Sequence, residues 1–255
     1  MKNKITIHKK NEIVRGTDDY SVMGKRALNT VYWAMQKHQA YKHDNMIIRF
    51  STMRKMMNLG SDQRYVETIK EALLELMQPM ELNNFHHPIH DELFQWYATS
   101  VLDEAGFKKT ENNEWVVHVK VSSLVRYIMQ LKGGFTPLEL IHIANSFRTK
   151  YAMKLYEYLR SFGAYRYLDI TQKHMMKLLA LDDKSSYRYY ADLSRLVERQ
   201  MREIAKKSDL PEVKLIKSKT LSKQKIFRIQ INPKSKKEVE KTEAKMVLDN
   251  LMKRF

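Results

Sequence analysis

At 255 residues, with 46 Lys and Arg against 29 Asp and Glu and a formal charge of +17, the chain has the length of about two ordinary domains and the charge of a polyanion binder. It contains no cysteine, which excludes disulfides, thiolate nucleophiles and Cys-ligated zinc. No apolar run reaches the roughly 20 residues of a membrane span, and the opening MKNKITIHKKNEIV lacks a signal-peptide core, so the expectation is a cytoplasmic protein with no membrane partner.

In chain order, the first predicted element is a helix through Lys25, Ala27, Leu28, Val31, Trp33 and Ala34, with apolar positions three and four apart. A β-like stretch, Ile48-Arg49-Phe50-Ser51, follows, with Ser51 as N-cap of a short helix carrying Met53, Met56 and Met57. Ser61-Asp62-Gln63-Arg64-Tyr65 leads into a helix with Ile69, Leu73 and Leu76 on one side. Its other face is mixed in sign, with Arg64 and Lys70 as candidate DNA contacts and Lys25, Arg26, Arg54 and Lys55 nearby in sequence. His86, His87 and His90 surround Pro88, which disfavours a helix that would bring them to one face; they read as loop histidines, and no metal is expected. Two strand-like runs, Phe94 to Leu102 and Trp115 to Val121, are joined by a polar segment through Gly106. A short helix from Leu124 to Leu131 ends this half, and Lys132-Gly133-Gly134 with Pro137 marks a boundary.

The second half repeats the first about 125 residues later, too long a period for a solenoid. Lys150 to Leu159 matches the first helix, Leu168 to Thr171 the β-like stretch with Thr171 as N-cap, and Met175 to Leu179 the Met-rich helix. The segment Tyr187 to Lys207 is predicted helical and sorts into two faces at about 100° per residue. Arg188, Asp192, Arg195, Arg199, Arg202 and Lys206 fall on one side; Tyr189, Tyr190, Leu193, Leu196, Val197, Met201 and Ile204 fall on the other. A solvated helix face usually mixes signs, because like charges four apart repel. Arg195 with Arg199 and Arg202 with Lys206 are such pairs, and an external anion would relieve them. Strands from Val213 to Ser218 and Lys225 to Ile231 close the half, and from residue 187 to 237 basic residues outnumber acidic ones about three to one.

Helix, strand, helix, helix and hairpin is the order of a winged helix, whose last helix reads the major groove. The expected fold is therefore α+β, mainly helical, with two tandem winged-helix domains related by internal duplication. Residues 1–131 form the first, for dimerisation and auxiliary DNA contacts; residues 132–233 form the second, the main reader; residues 234–255 form a tail, with Ser235 and Glu238 as a capping box. Arg188, Asp192 and Arg195 lie early enough to read base edges, Arg gripping guanine and Asp192 accepting from cytosine. Tyr187 sits beside them. Arg199, Arg202 and Lys206 suit phosphates, as do Ser185 and Ser186 at the helix start. The wing lysines Lys214, Lys217, Lys219, Lys223 and Lys225, with Arg228, would follow the backbone. No cofactor is expected, and no Gly-rich phosphate loop is present.

Phe135-Thr136-Pro137-Leu138-Glu139-Leu140 and Ser146-Phe147-Arg148-Thr149-Lys150-Tyr151-Ala152-Met153-Lys154-Leu155-Tyr156-Glu157-Tyr158-Leu159, together with Asn11-Glu12-Ile13-Val14, resemble the iteron-binding plasmid replication initiators. The likeness spans roughly residues 10–232, is specific around 135–160, and has Thr149 where the family often has Ser. It implies two winged-helix domains, binding of double-stranded DNA at plasmid origin repeats, opening of adjacent AT-rich DNA, and contacts with the host initiator and replicative helicase. It also implies repression of the protein's own gene as a homodimer formed mainly through the first domain. The competing readings are a winged-helix transcription regulator and a Tyr- and metal-dependent nickase. The histidine spacing argues against the nickase.

Overall fold

The structure is a computed structural model that describes residues 5–38, 45–60, 65–87, 89–131, 133–140, 144–163, 165–181, 187, 189–216, 220–221 and 224–231, with the backbone alone at 12, 83, 220, 221 and 224. The expected tail helix after residue 233 lies outside them. The first half runs β1 (Thr6–Lys10), α1 (Asn11–Arg15), α2 (Val22–Lys37), β2 (Asn45–Arg49), α3 (Phe50–Met56), α4 (Tyr65–Leu76), β3 (Met80–His87), β4 (Glu92–Thr99), β5 (Leu102–Lys109), β6 (Trp115–Val121) and α5 (Ser123–Gln130). The second runs β7 (Phe135–Glu139), α6 (Lys150–Arg160), β8 (Tyr167–Thr171), α7 (Gln172–Leu178), α8 (Tyr190–Lys207), β9 (Lys214–Ile216), β10 (Thr220–Leu221) and β11 (Gln224–Gln230).

The helix starts follow from local chemistry. Ser21 accepts from Gly24 N at 3.0 Å, Thr149 from Ala152 N at 3.0 Å and Thr171 from His174 N at 3.2 Å, each satisfying an amide that a helix's first turn leaves free. The expected cap Ser51 is not one: α3 starts two residues earlier, its N-cap is Arg49 without a side-chain bond, and Ser51 is exposed in the first turn.

Both halves share an order of helix, strand, helix, helix and closing strands. In both, the early strand pairs antiparallel with the last, β2 with β6 and β8 with β11, and the last strand also pairs with an earlier closing strand, β5 or β9. β10 adds a short pairing to β11. The first half departs from expectation in its hairpin. The run from Phe94 to Leu102 is split between β4 and β5, Gly106 lies inside β5, and β4 pairs with the unforeseen β3. His86 and His87 therefore belong to a strand rather than a loop. Inserted between α4 and β5, the β3–β4 hairpin has no counterpart among the described residues of the second half.

The halves meet along a substantial seam. β1 pairs antiparallel with β7, and the buried apolar residues form one continuous cluster from Ile7 to Ile231. Asn29 donates to Asn145 at 2.8 Å, and Lys9 meets Glu157 at 2.8 Å with both side chains buried. Asp18, buried, receives Lys154 at 2.9 Å and also Lys25; its neighbour Asp19 receives Lys150. The two matched helices α2 and α6 are thus held by one Asp-Asp turn. Burial alone would raise the Asp18 carboxyl; the ammonium groups of Lys154 and Lys25 outweigh it and hold the group well below the usual carboxylate range.

Candidate nucleic-acid interface

Leu193, Leu196, Val197, Gln200, Met201 and Ile204 are the buried face of α8. Their three- and four-residue spacing makes the helix amphipathic. Its angle on the domain is fixed by polar contacts to the segment before α6. Gln200, buried, accepts from the Thr149 hydroxyl at 2.5 Å; Glu203 accepts from Arg148 N at 2.8 Å; Lys207 donates to Ser146 O at 3.1 Å.

The opposite face is exposed. Arg199, Arg202 and Lys206 are exposed, and their side chains form no hydrogen bond or ion pair with another of the described residues. Arg195 is 80% exposed and reaches Asp192 at 3.3 Å, one turn earlier. An exposed pair of this kind is worth about 0–1 kcal/mol, so an incoming anion or base edge can replace it at small cost. A shallow cleft of about 410 Å³ runs along this face, lined by Tyr187, Asp192, Arg195, Leu196, Arg199 and Arg202. Of the expected contacts, five of the α8 stripe and Tyr187 are therefore described and brought together, while Ser185, Ser186 and Arg188 lie outside the described residues.

The wing is less complete. Lys217, Lys219 and Lys223 also lie outside the described residues. Lys214 and Lys225 are exposed, and the Lys225 ammonium lies 5.6 Å from the Tyr190 ring centroid, with Tyr190 stacked on Phe227 at 4.7 Å. Arg228 departs from the expected role. It grips Asp169 across β8 and β11 with two hydrogen bonds of 2.7 and 2.5 Å, and these hold the Asp169 carboxyl below its ordinary range. It is committed to the sheet.

In the first half, Lys70 is exposed and pairs with Glu67 at 3.2 Å, and Arg64 lies outside the described residues. Lys25 and Arg26, near the candidate contacts in sequence, are engaged elsewhere. Lys25 is buried on Asp18, and Arg26 donates to Met57 O and Phe147 O, each at 3.3 Å, in the seam. His87 is buried, and its Nδ1 accepts from Ile89 N at 3.3 Å and His90 N at 3.2 Å, closing the hairpin turn. Burial, helped by the nearby His90, lowers its pKa. Among the described residues no cluster of His, Asp and Glu could hold a metal ion, and no helix is long and apolar enough to cross a membrane.

Tyr189 is the residue that the sequence pattern misassigns. Helical periodicity puts it on the buried side, but α8 begins at Tyr190, and Tyr189 is its extended N-cap, 74% exposed. It stands one turn before Asp192, at the N-terminal end of α8. Tyr189→Ala is expected to leave the urea midpoint within about 0.5 kcal/mol of the parent while weakening duplex binding. A stability loss without a binding loss would return Tyr189 to the core.

Residues 6–160, well over half of the chain, match the family described as Initiator Replication protein, WH1. Among solved structures, a selenomethionine form of domains 2 and 3 of RctB is 11% identical, with 83% of this chain and 81% of that one covered at a TM-score of 0.44. A second crystal structure of the same domains covers the same shares at 11% identity and a TM-score of 0.42. No curated protein matches the sequence significantly.

Proposed function

The chain belongs to the initiator replication protein family, and from that premise we propose that it is a double-stranded DNA-binding initiator of plasmid replication that recognises direct repeats (iterons) at its origin. The observation that carries this reading is the outward face of α8, where Arg199, Arg202 and Lys206 have no protein partner among the described residues and Arg195 has only an exposed one. Four cations on one helical face repel each other unless an anion lies against them, and a helix of this kind fits the major groove. Arg195 and Asp192, in the early turns, read base edges; Arg199, Arg202 and Lys206, further along, hold phosphates.

The shared element order and strand pairing of the two halves support a pair of winged-helix domains descended from one duplicated unit, residues 1–131 and 132–233. Self-association as a homodimer is assigned to the first. There the β3–β4 hairpin exposes Leu93 and Trp96, with Ile89 in its turn, apolar surface of the kind that marks a protein contact. Opening of neighbouring AT-rich DNA, repression of its own gene and contact with the host initiator and helicase complete the proposal. The protein works by binding, without cofactor or bond chemistry of its own.

The test is a titration of the full chain against duplex carrying the repeats beside its gene and against the same bases shuffled, at two salt concentrations. Preference for the repeats by about 10³-fold or more, with affinity falling steeply as salt rises, is expected. Equal affinity for both duplexes defeats the reading. Metal-dependent nicking of the supercoiled origin in a parallel incubation would instead identify a nickase.

A further inference from the structure

The first half carries a second cleft, away from α8, whose chemistry differs from that of a duplex-binding groove. It is about 470 Å³ in volume, within the range of small-molecule sites, and lies between the end of β2, the start of α3 and the turn joining β5 to β6. Its walls include Arg49, Arg54, Val66 and Trp115, with Glu114 at the turn and Phe50 packed edge-on against Phe107 at 6.2 Å. Trp115 is 38% exposed, and the ammonium of Lys109, its cross-strand partner, lies 5.2 Å from its ring centroid. Among the described residues no aromatic ring stacks on Trp115. An open indole with cations around it offers a nucleotide a surface for its base and counter-charge for its phosphate.

Strand register sharpens the contrast with the second half. Trp115 precedes Val116, which pairs with Arg49 at the end of β2. In the second half the residue before the partner of Thr171, at the end of β8, is Lys225. There the neighbouring aromatic ring, Tyr190, is already stacked on Phe227; each ring has one lysine ammonium near it, Lys225 at Tyr190 and Lys109 at Trp115, so the stacking is what differs. The same place in the wing thus presents a lysine in one half and an unstacked tryptophan in the other. A lysine serves the phosphates of a duplex, whose base faces are hidden by stacking. An indole serves a base whose face is free.

We propose that this cleft is a nucleotide-binding subsite that takes an unpaired base against Trp115 and its phosphate on the Arg49 and Arg54 side. Glu114 keeps phosphate from the turn side and leaves N–H groups of a base edge, such as thymine N3–H, as its own partners. The chemistry is that of a free nucleotide or of a nucleotide within a single strand. The site goes beyond the duplex-reading role of α8 and shares no residue with it.

The full chain has three tryptophans: Trp33 is 9% exposed, Trp96 58% and Trp115 38%. Titration with a short oligothymidylate should therefore quench indole fluorescence in the parent and in Trp96→Phe, and lose that quenching in Trp115→Phe. Trp115→Ala should weaken single-strand affinity roughly five- to 150-fold, and Arg49→Ala should weaken it and flatten its salt dependence. Affinity of Trp115→Ala for the repeat duplex should not change, and Arg195→Ala should show the reverse pattern, so failure here is distinct from failure of the duplex reading. Quenching by thymidine monophosphate at similar concentrations identifies a free nucleotide as the ligand; quenching by the oligonucleotide alone identifies a single strand. Quenching that survives in Trp115→Phe, no quenching with either probe, or single-strand affinity unchanged in both Trp115→Ala and Arg49→Ala overturns the proposal.

Discussion

Arg195→Ala is expected to cost about 1–3 kcal/mol on the preferred duplex, roughly five- to 150-fold in affinity, and much less on shuffled DNA. The side chain is 80% exposed and its one partner, Asp192, lies one turn earlier on the same helix at 3.3 Å. Nothing in the fold rests on it, so its removal should leave the unfolding transition in place. The effect should therefore appear as weakened discrimination. Arg202→Ala offers the contrast, because a residue on phosphate weakens all sequences alike and lowers the salt slope by about one. Gel shift or fluorescence anisotropy with both duplexes separates the two behaviours. Equal weakening on specific and shuffled DNA for Arg195→Ala would remove it from base reading and leave it on phosphate.

The largest stability effect is expected at Asp18→Asn. The carboxylate is buried and joins Lys154 at 2.9 Å and Lys25. Removing its charge leaves two ammonium groups desolvated, with Glu157, already paired with Lys9, as the remaining carboxylate acting on Lys154, a defect that costs about 3–5 kcal/mol. That is a large part of the net stability of an ordinary domain. Since Lys25 belongs to α2 and Lys154 to α6, the defect loosens the seam between the halves, so urea unfolding should broaden or separate into two steps. The pH dependence has a definite sign. Asp18 is held below its unfolded range, so its contribution is complete above the ordinary carboxylate pKa and is lost as pH falls through the lower folded value. The parent should lose stability steeply in acid, and Asp18→Asn should lack that part of the slope. An Asn variant as stable as the parent at neutral pH would show that the cluster contributes nothing net.

Some of this was legible in the sequence. The two faces of α8 were, because 18 residues of unbroken helix allow a 3.6-residue period to declare itself. So was the succession of helix, strand, helix and helix in each half, although Thr171 caps α7 as expected and Ser51 does not cap α3. Tyr189 was not, because periodicity extended past the true helix start puts a cap residue on the wrong face. The β3–β4 hairpin escaped because Asn83, Asn84 and the histidines have turn-like composition, and because the repeat offered no second copy to compare. The seam was invisible in a deeper sense. Asp18 and Lys154 are 136 residues apart, and no local pattern marks a lysine as buried. Lys25 and Arg26 read as surface cations for the same reason. Arg228, alternating along a strand, gave no sign that Asp169 stood opposite.

The salt dependence of duplex binding measures most directly whether the outward cations of α8 meet DNA phosphates. With Arg195, Arg199 and Arg202 together replaced by alanine, the slope of log affinity for the repeat duplex against log salt should become shallower by up to about 0.9 for each phosphate no longer neutralised, with the preference for repeats over shuffled DNA gone. A triple variant that folds like the parent and keeps both the parent's slope and its preference would contradict the account.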